Sequence, residues 1–485
     1  MSTSPTDSIA ARPYPGAEPL PDPEALAGAT GRAPRLAFRI LALVQGTLIF
    51  TIALILVPLP EIGRQMGLTS AEMLLVSVGY GLPYGGLLLF GGRLADRYGG
   101  RRVFVAGLTL FALASALAVL AADFETLVAA RFLQGIAAAM VAPAAMAILQ
   151  ALFPSPERFG RAMAVWGGVS VLGATLAPVM SGILTNWFSW RWMFAVPIVV
   201  SLIGLAAAGR ILPPARASAT SRPGLDPLGA ALATLGISIG SYGLVASGDH
   251  GWTSGAVFAP VLAGLALLVL FAIVERRVAD PLLPPGFLAA PRRLVGLAGM
   301  LFAAAASGLV MFLLSLFLQQ QWGWSTLATA GAYVPLMIAL VGANHVAGRL
   351  VEAFGAGRIV VAGLVIGAAG FALLLGIDRS SSFGLGIVPG TVVLPIGMAL
   401  VFAGSAVLST ADVPQNRAGL AGGVMNTAME LGPTVGLAAL MAVAALRSDP
   451  VAGYALAYGT AGVAYLVLAL IALPLVWRNT PARRL

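Results

Sequence analysis

The sequence predicts an all-α integral membrane protein of fourteen membrane-spanning helices, arranged as two related halves. Three observations predict it. Apolar stretches of about 20 residues, the length that crosses a bilayer core, recur along the 485-residue chain. Its 28 basic residues are all arginine, and they crowd into alternate gaps between those stretches. One polar motif occurs twice, at residues 92–102 and again at 348–358.

The stretches extend over 38–60, 72–91, 103–122, 126–152, 161–186, 190–211, 227–247, 253–274, 294–318, 325–347, 357–377, 384–408, 418–445 and 452–476. They are numbered here as spans 1 to 14. The gaps that hold Arg97, Arg158, Arg222, Arg277, Arg358 and Arg417, with both tails, carry 23 arginines and 11 acids. The opposite gaps carry four arginines (Arg64, Arg191, Arg379 and Arg447) and seven acids. The positive-inside bias assigns the first set to the cytoplasm, in a cell (inner) membrane with both termini inside. An even number of spans fits that assignment, and merging two spans would break the alternation.

Composition agrees. Hydrophobic residues make up 59% of the chain, charged residues 10%, and mean hydropathy is +0.93. A soluble domain carries about 25% charged residues. The net charge of +9 therefore follows topology, with Arg131 and Glu430 the charged residues more than two positions from a span end. The scattered arginines form no single patch, which argues against a nucleic-acid partner. Cysteine is absent and histidine occurs twice, at His250 and His345. Disulfides, thiolate catalysis and Cys or His metal clusters are thereby excluded. No cofactor is expected. No GxxxxGK[ST] loop is present, so no ATPase is built in.

From the N-terminus, residues 1–37 are rich in Pro, Ala and Gly and read as a disordered tail. They lack the apolar region of a signal peptide. Span 2 carries Tyr80 and Tyr84, which with Trp166, Phe312 and Tyr333 are candidates to line an apolar cavity; packing is the plainer reading of such aromatics. The motif GRLADRYGGRR follows. Gly92 and Gly99 allow tight backbone turning, Asp96 suits a neighbouring helix N-terminus, and Arg97, Arg101 and Arg102 suit lipid phosphate or carboxylates. Its repeat, GRLVEAFGAGR, matches Gly348, Arg349, Glu352, Gly355 and Arg358 to Gly92, Arg93, Asp96, Gly99 and Arg102. Repeats at matching positions in two halves mark transporters, with the substrate site at their interface near mid-membrane.

Span 4 contains Arg131, about 8 Å from its Arg-poor end at 1.5 Å per residue. Glu430 of span 13 lies about 22 Å from the same side, so the two should not pair. Arg131 is then free for Gln134, backbone carbonyls or substrate, and structural and functional roles stand equal. Gly173, Pro178 and Gly182 should bend span 5 and let a neighbour approach; ordinary small-residue packing is the alternative. Residues 212–225, with three prolines, read as a linker. Pro389, Gly390 and Pro395 suggest a pliable span 12. His345, near the inner end of span 10, reads as a packing or gate residue. Glu430 is the one acid away from the ends of the spans. A charge at that depth costs at least about 2.5 kcal/mol, so it should face a cavity or a partner. A carboxyl removed from water favours its neutral form, which suits a proton carrier. Asn426, four residues earlier, shares its helix face.

Several stretches resemble the major facilitator superfamily. GRLADRYGGRR is similar to that family's loop signature, with Gly100 where an arginine is common. Leu127, Arg131, Gln134 and Gly135 resemble its fourth-span motif. GATLAPVMSG at 173–182 is similar to its antiporter motif, with Ala177 and Ser181 replacing glycines. WRWMF at 190–194, LDPLGA at 225–230 with GW at 251–252, ERRVADPLLP at 275–284 and NTAMELGPTVG at 426–436 resemble the fourteen-span drug/proton antiporter branch. One departure lies in FTIALILVPLP at 50–60, where Thr51 and Leu56 occupy positions that are acid and asparagine in the family.

The resemblance implies two six-helix bundles, at 38–211 and 294–476, with two accessory spans at 226–275, a cytoplasmic loop at 276–293 and a terminal tail at 477–485. It implies a monomeric, non-enzymatic transporter that exports amphipathic drugs or a secondary metabolite by proton antiport. Its partners would be that small-molecule substrate, protons and the lipid bilayer. The proposed roles are proton coupling at Glu430, a substrate cavity at Arg131, Gln134, Asn426, Tyr80 and Tyr84, a gate at the two repeated motifs and a bend at Gly173, Pro178 and Gly182. A uniporter or importer of a small metabolite is the alternative that the missing first-span acid favours. A non-transporting membrane receptor is another, and it would usually carry a sizeable soluble domain that this chain lacks.

Overall fold

Inside a bilayer every backbone amide and carbonyl must find its partner within the protein, and a helix does this locally. The computed structural model describes residues 32–153, 156–209, 224–411, 413 and 418–477, and these are helical with short turns and no strand. Thirteen helices are long and apolar enough to cross a membrane. The 32-residue helix Pro156–Trp187 occupies the place of span 5 and completes the fourteen. Most of the tail expected at 1–37, the linker at 212–225 and the tail at 477–485 lie outside the described residues. The first of these needs correction at its end, because span 1 is already helical from Arg32.

Helix breaks fall where proline or glycine removes the ladder. Span 1 stops at Ala53, turns ahead of Pro58 and resumes as the short helix Leu59–Met66, closed by Gly67 at φ +68°. Span 2 starts with Thr69, whose hydroxyl and the Glu72 carboxylate form a capping box. It consists of Ser70–Val78 and Gly81–Tyr98. Span 10 divides into Thr326–Ala332 and Val334–Phe354, with Pro335 in the first turn of the second piece. Span 13 divides at a π-helical turn, Gly432–Gly436, that contains Pro433.

Packing repeats between the halves. Span 4 lies against spans 2 and 3, and span 12 lies against spans 10 and 11 in the same way. The contacts of span 1 with spans 4, 5 and 6 recur as those of span 9 with spans 12, 13 and 14. In each half a tyrosine on the second helix ties it to the first: Tyr80 donates to the Leu48 carbonyl at 3.2 Å, and Tyr333 to the Met311 carbonyl at 2.6 Å.

The halves meet along a seam. Span 2 packs against span 13, and span 5 packs against the first piece of span 10. Span 9 is the most enclosed, buried over 83% of its most apolar window, whereas span 8 is buried over 11% and presents Leu262, Leu265, Val269 and Leu270 outward. Span 7 is not merely peripheral: it touches span 2 of one half and span 13 of the other, so it straddles the seam.

Candidate functional site

Glu430 stands at the seam. It is the penultimate residue of the helical piece Ala418–Leu431, just ahead of the π-helical turn, and it is only 4% exposed. Its carboxyl has neither a hydrogen bond nor an ion pair among the described residues. Inserted turns of this kind concentrate at functional positions because they re-aim side chains. Glu430 lies within electrostatic range of Tyr80 and Tyr84 across the seam. Two glycines of span 2 make that closeness possible. A side-chain carbon on Gly85 would come within 2.8 Å of Leu431, and one on Gly81 would collide with Thr434. Asn426, half-buried on the same helix face, makes no hydrogen bond among the described residues. The Thr427 hydroxyl one turn before Glu430, and the Gln45 side-chain carbonyl of span 1, are buried without partners. Sequence reasoning passed over both; the signal was a lone amide and a hydroxyl in otherwise apolar spans.

Arg131 is fully buried and forms a different centre. Its Nη1 donates to the Thr51 carbonyl at 2.9 Å and to Gln134 Oε1 at 3.3 Å, and Nε donates to the Val76 carbonyl at 3.4 Å. Gln134 in turn donates to Ser115 Oγ at 2.9 Å. Both carbonyls belong to helix ends, at the breaks of spans 1 and 2, where no amide four residues on serves them. The guanidinium also covers the Tyr80 ring at 5.0 Å. No acid neutralises it among the described residues. Arg131 thus ties spans 1, 2, 3 and 4 together, with its Nη2 left unpaired. Arg131, Gln134, Tyr80 and Tyr84, expected to line a substrate cavity, are packed inside in this structure, at most 2% exposed. Trp166, Phe312 and Tyr333 are buried too.

At the Arg-poor end the seam is shut. Ser315 Oγ of span 9 donates to the Leu56 carbonyl at 2.8 Å, and Gln319 Nε2 to the Val57 carbonyl at 2.7 Å. Gly182 of span 5 leaves room for Ala330 and the Thr326 carbonyl of span 10, and Gly173 lets the Gly46 backbone of span 1 approach. Span 5 stays helical through Pro178, so close approach is what these residues provide. Toward the Arg-rich end the second piece of span 10 packs against span 12, and it is the first piece that meets span 5. Asn344, His345 and Val346 are successively exposed, and open space surrounds Gly342 and Gly348.

The repeated motif needs correction as a loop. Span 2 remains helical to Tyr98 and span 10 to Phe354, so Gly92, Asp96 and Arg97, with Gly348, Arg349 and Glu352, belong to helices. Only Gly99 and Gly355 turn the chain, at φ +90° and +87°, a region open to glycine and strained for other residues. Asp96 is exposed in the last helical turn and accepts no hydrogen bond from a neighbouring helix among the described residues. It sits at the negative end of its own helix dipole, which does not stabilise it there. The arginines engage more: Arg93 holds the Pro281 carbonyl at 2.7 Å, Arg101 holds the Gly209 carbonyl at 2.9 Å, and Arg97 lies over Tyr98. Arg102 and Arg358 are exposed.

The chain matches the profile of the Major Facilitator Superfamily over residues 41–437. It is 35% identical to the cephamycin export protein of Amycolatopsis lactamdurans, over 94% of this chain and 96% of that one. It is 34% identical to a puromycin resistance protein of Streptomyces alboniger, over 88% and 84% of the two chains. It is 30% identical to the methylenomycin A resistance protein of Streptomyces coelicolor, over 92% and 93%. Among solved structures, the POT family transporter PepTSo superposes with a TM-score of 0.67 at 16% identity, covering 92% of this chain and 99% of that one. The human organic anion transporter MFSD10 gives 0.61 at 18% identity, over 90% and 99%. These structural likenesses concern the fold.

Proposed function

We propose, because this chain belongs to the Major Facilitator Superfamily, that it exports an amphipathic drug or a secondary metabolite across a cell (inner) membrane in exchange for protons. It is a transporter and not an enzyme. Relatives named for antibiotic export and resistance support efflux. The Arg-rich ends are assigned to the cytoplasm by the positive-inside bias. The structure then corresponds to a state shut on the outside, with spans 5 and 10 apart toward the inside.

The observation that carries the coupling is Glu430. A carboxyl at a packed seam, with no cation or donor beside it, is held at least cost in its neutral form. Opening the seam admits water or a polar substrate group, and the ionised form then becomes tolerable. One side chain can in this way exchange a proton for a substrate contact as the halves rock. Asn426 and Thr427, on the same helical piece, are placed to offer hydrogen bonds beside it. Arg131 keeps the first half rigid by holding the breaks of spans 1 and 2.

The test uses purified protein in proteoliposomes with a pH gradient and a panel of amphipathic compounds. Glu430→Gln keeps the shape and removes the proton. It should abolish gradient-driven uphill export and leave downhill exchange. Uphill export at the wild-type rate by Glu430→Gln sinks the coupling scheme.

A further inference from the structure

Two carboxyl groups meet at the Arg-rich end of the hairpin formed by spans 7 and 8. Asp226 precedes span 7 and caps it, Oδ1 accepting the Gly229 amide at 2.8 Å. Glu275 ends span 8, and its Oε2 accepts the Leu283 amide at 2.9 Å. Each residue is 4% exposed. The remaining oxygens, Asp226 Oδ2 and Glu275 Oε1, are buried and receive no donor from elsewhere in the described protein. They converge beside Gly229. A carbon added to its Cα would lie 2.9 Å from Glu275 Oε1 and would clash with Asp226 Oδ2. Glycine in the stretch LDPLGA thus leaves room for the two carboxyls to touch.

Nearby charges do not resolve the contact. Arg276 and Arg277 follow Glu275, and Asp280 lies in the loop, where its Oδ2 accepts the Gly224 amide at 3.2 Å. On span 2, which packs against span 7, Arg93 spends its guanidinium on the Pro281 carbonyl, while Asp96 and Arg97 lie in the following turn. No ion pair reaches either carboxyl among the described residues. Two touching carboxylates shielded from water do not both ionise, and one proton shared between them removes the conflict.

What the pair anchors is informative. The Leu283 amide held by Glu275 begins a loop that runs beneath the seam. There Leu283, Phe287 and Leu288 pack with Leu89 of span 2 and with Ala421 and Val424 of span 13. Arg293 fixes the far end of this loop, donating to the Phe287 carbonyl at 2.6 Å and lying over the Phe287 ring at 4.3 Å. The loop therefore touches both halves next to the repeated motif, and one of its anchors is the Glu275 carboxyl that meets Asp226.

We propose that Asp226 and Glu275 bind a single shared proton, and that this proton keeps the loop after span 8 docked across the seam of spans 2 and 13. As pH rises and the proton leaves, two negative charges oppose each other, Glu275 withdraws from the Leu283 amide, and the loop undocks. The site is separate from Glu430 and does not rest on the direction of transport.

The chain has no cysteine, so a single reporter is clean. Ala289→Cys in the full-length protein, labelled with an environment-sensitive fluorophore in lipid nanodiscs, is followed as pH is raised stepwise from mildly acid to alkaline. The expected result is one transition to a more water-exposed spectrum as pH rises. Glu275→Gln and Asp226→Asn, each in the labelled background, should both lose it and stay docked, because each leaves one acid facing a neutral amide. Should one variant fail to fold, the other decides. Absence of the transition in the labelled background, its persistence in a folded variant, or its suppression by sodium at fixed pH would overturn the shared proton; the last outcome would assign the site to a metal cation.

Discussion

Replacing Ser315 and Gln319 together by alanine removes the hydrogen bonds that close the Arg-poor end. Ser315 holds the Leu56 carbonyl and Gln319 the Val57 carbonyl, both in the non-helical turn of span 1, where no backbone amide takes their place. In the shut state the two carbonyls would be left buried and unpaired; in the open state water serves them. Each lost bond therefore weighs against the shut state, at about 1–1.5 kcal/mol apiece, or about 2–3 kcal/mol together. At 1.4 kcal/mol per tenfold this shifts the open-to-shut ratio by about 30- to 150-fold. Thr427→Cys, one turn from Glu430, serves as the reporter, since its reaction with an impermeant thiol reagent added at the Arg-poor side follows the open population. The double variant should label faster by about that factor. Thr460→Ala, which removes a bond confined to span 14, should leave the rate unchanged. An unchanged rate in the double variant would refute the latch and place closure in the contact of span 5 with span 10 alone.

Other outcomes are expected. Gly99→Ala and Gly355→Ala each force a side chain into a left-handed turn and should lower stability by about 1 kcal/mol, read as earlier thermal unfolding; an unshifted transition in both would mean the turns relax freely. Asp449 is held below the usual carboxylate range by the Ala452 amide and by Arg379. Its cap on span 14 is therefore present above its ordinary range and lost only as pH falls through the lowered value, so the Ala452 amide it holds should stay protected from hydrogen exchange at about pH 4, where an ordinary aspartate is half protonated; loss of protection there would contradict the contact. Cysteines replacing Ser254 and Ser382 should react with impermeant reagent from outside the cell and one replacing Ser221 should not, and the reverse pattern would invert the orientation.

The sequence made the span count legible because charge placement and hydropathy are independent signals that agreed. Arg131 was half legible. Its depth excluded Glu430 as a partner, and Gln134 lay one turn away on the same face, but the carbonyls it holds became available only where spans 1 and 2 break. Those breaks depend on how the helices pack. Gly92 misled as a turn residue because a glycine can equally serve helix packing, and only Gly99 takes positive φ. Ser315 and Gln319 were invisible for a related reason. Their partners are backbone carbonyls about 260 residues away, and no side-chain pattern announces an acceptor of that kind. Glu430 stood out because it was alone. The Asp226–Glu275 contact did not, because each acid sits at the end of a span, where a charge is ordinary.

Span 7 touches both span 2 and span 13, and this has a consequence for the lateral faces of the molecule. Twelve helices in two matching halves offer the bilayer two equivalent flanks, one where span 2 meets span 13 and one where span 5 meets span 10. The hairpin of spans 7 and 8 covers the first and breaks that equivalence. Acyl chains reach the line between the halves from one side only. The flank left to the lipid is the one where span 10 turns Asn344, His345 and Val346 outward.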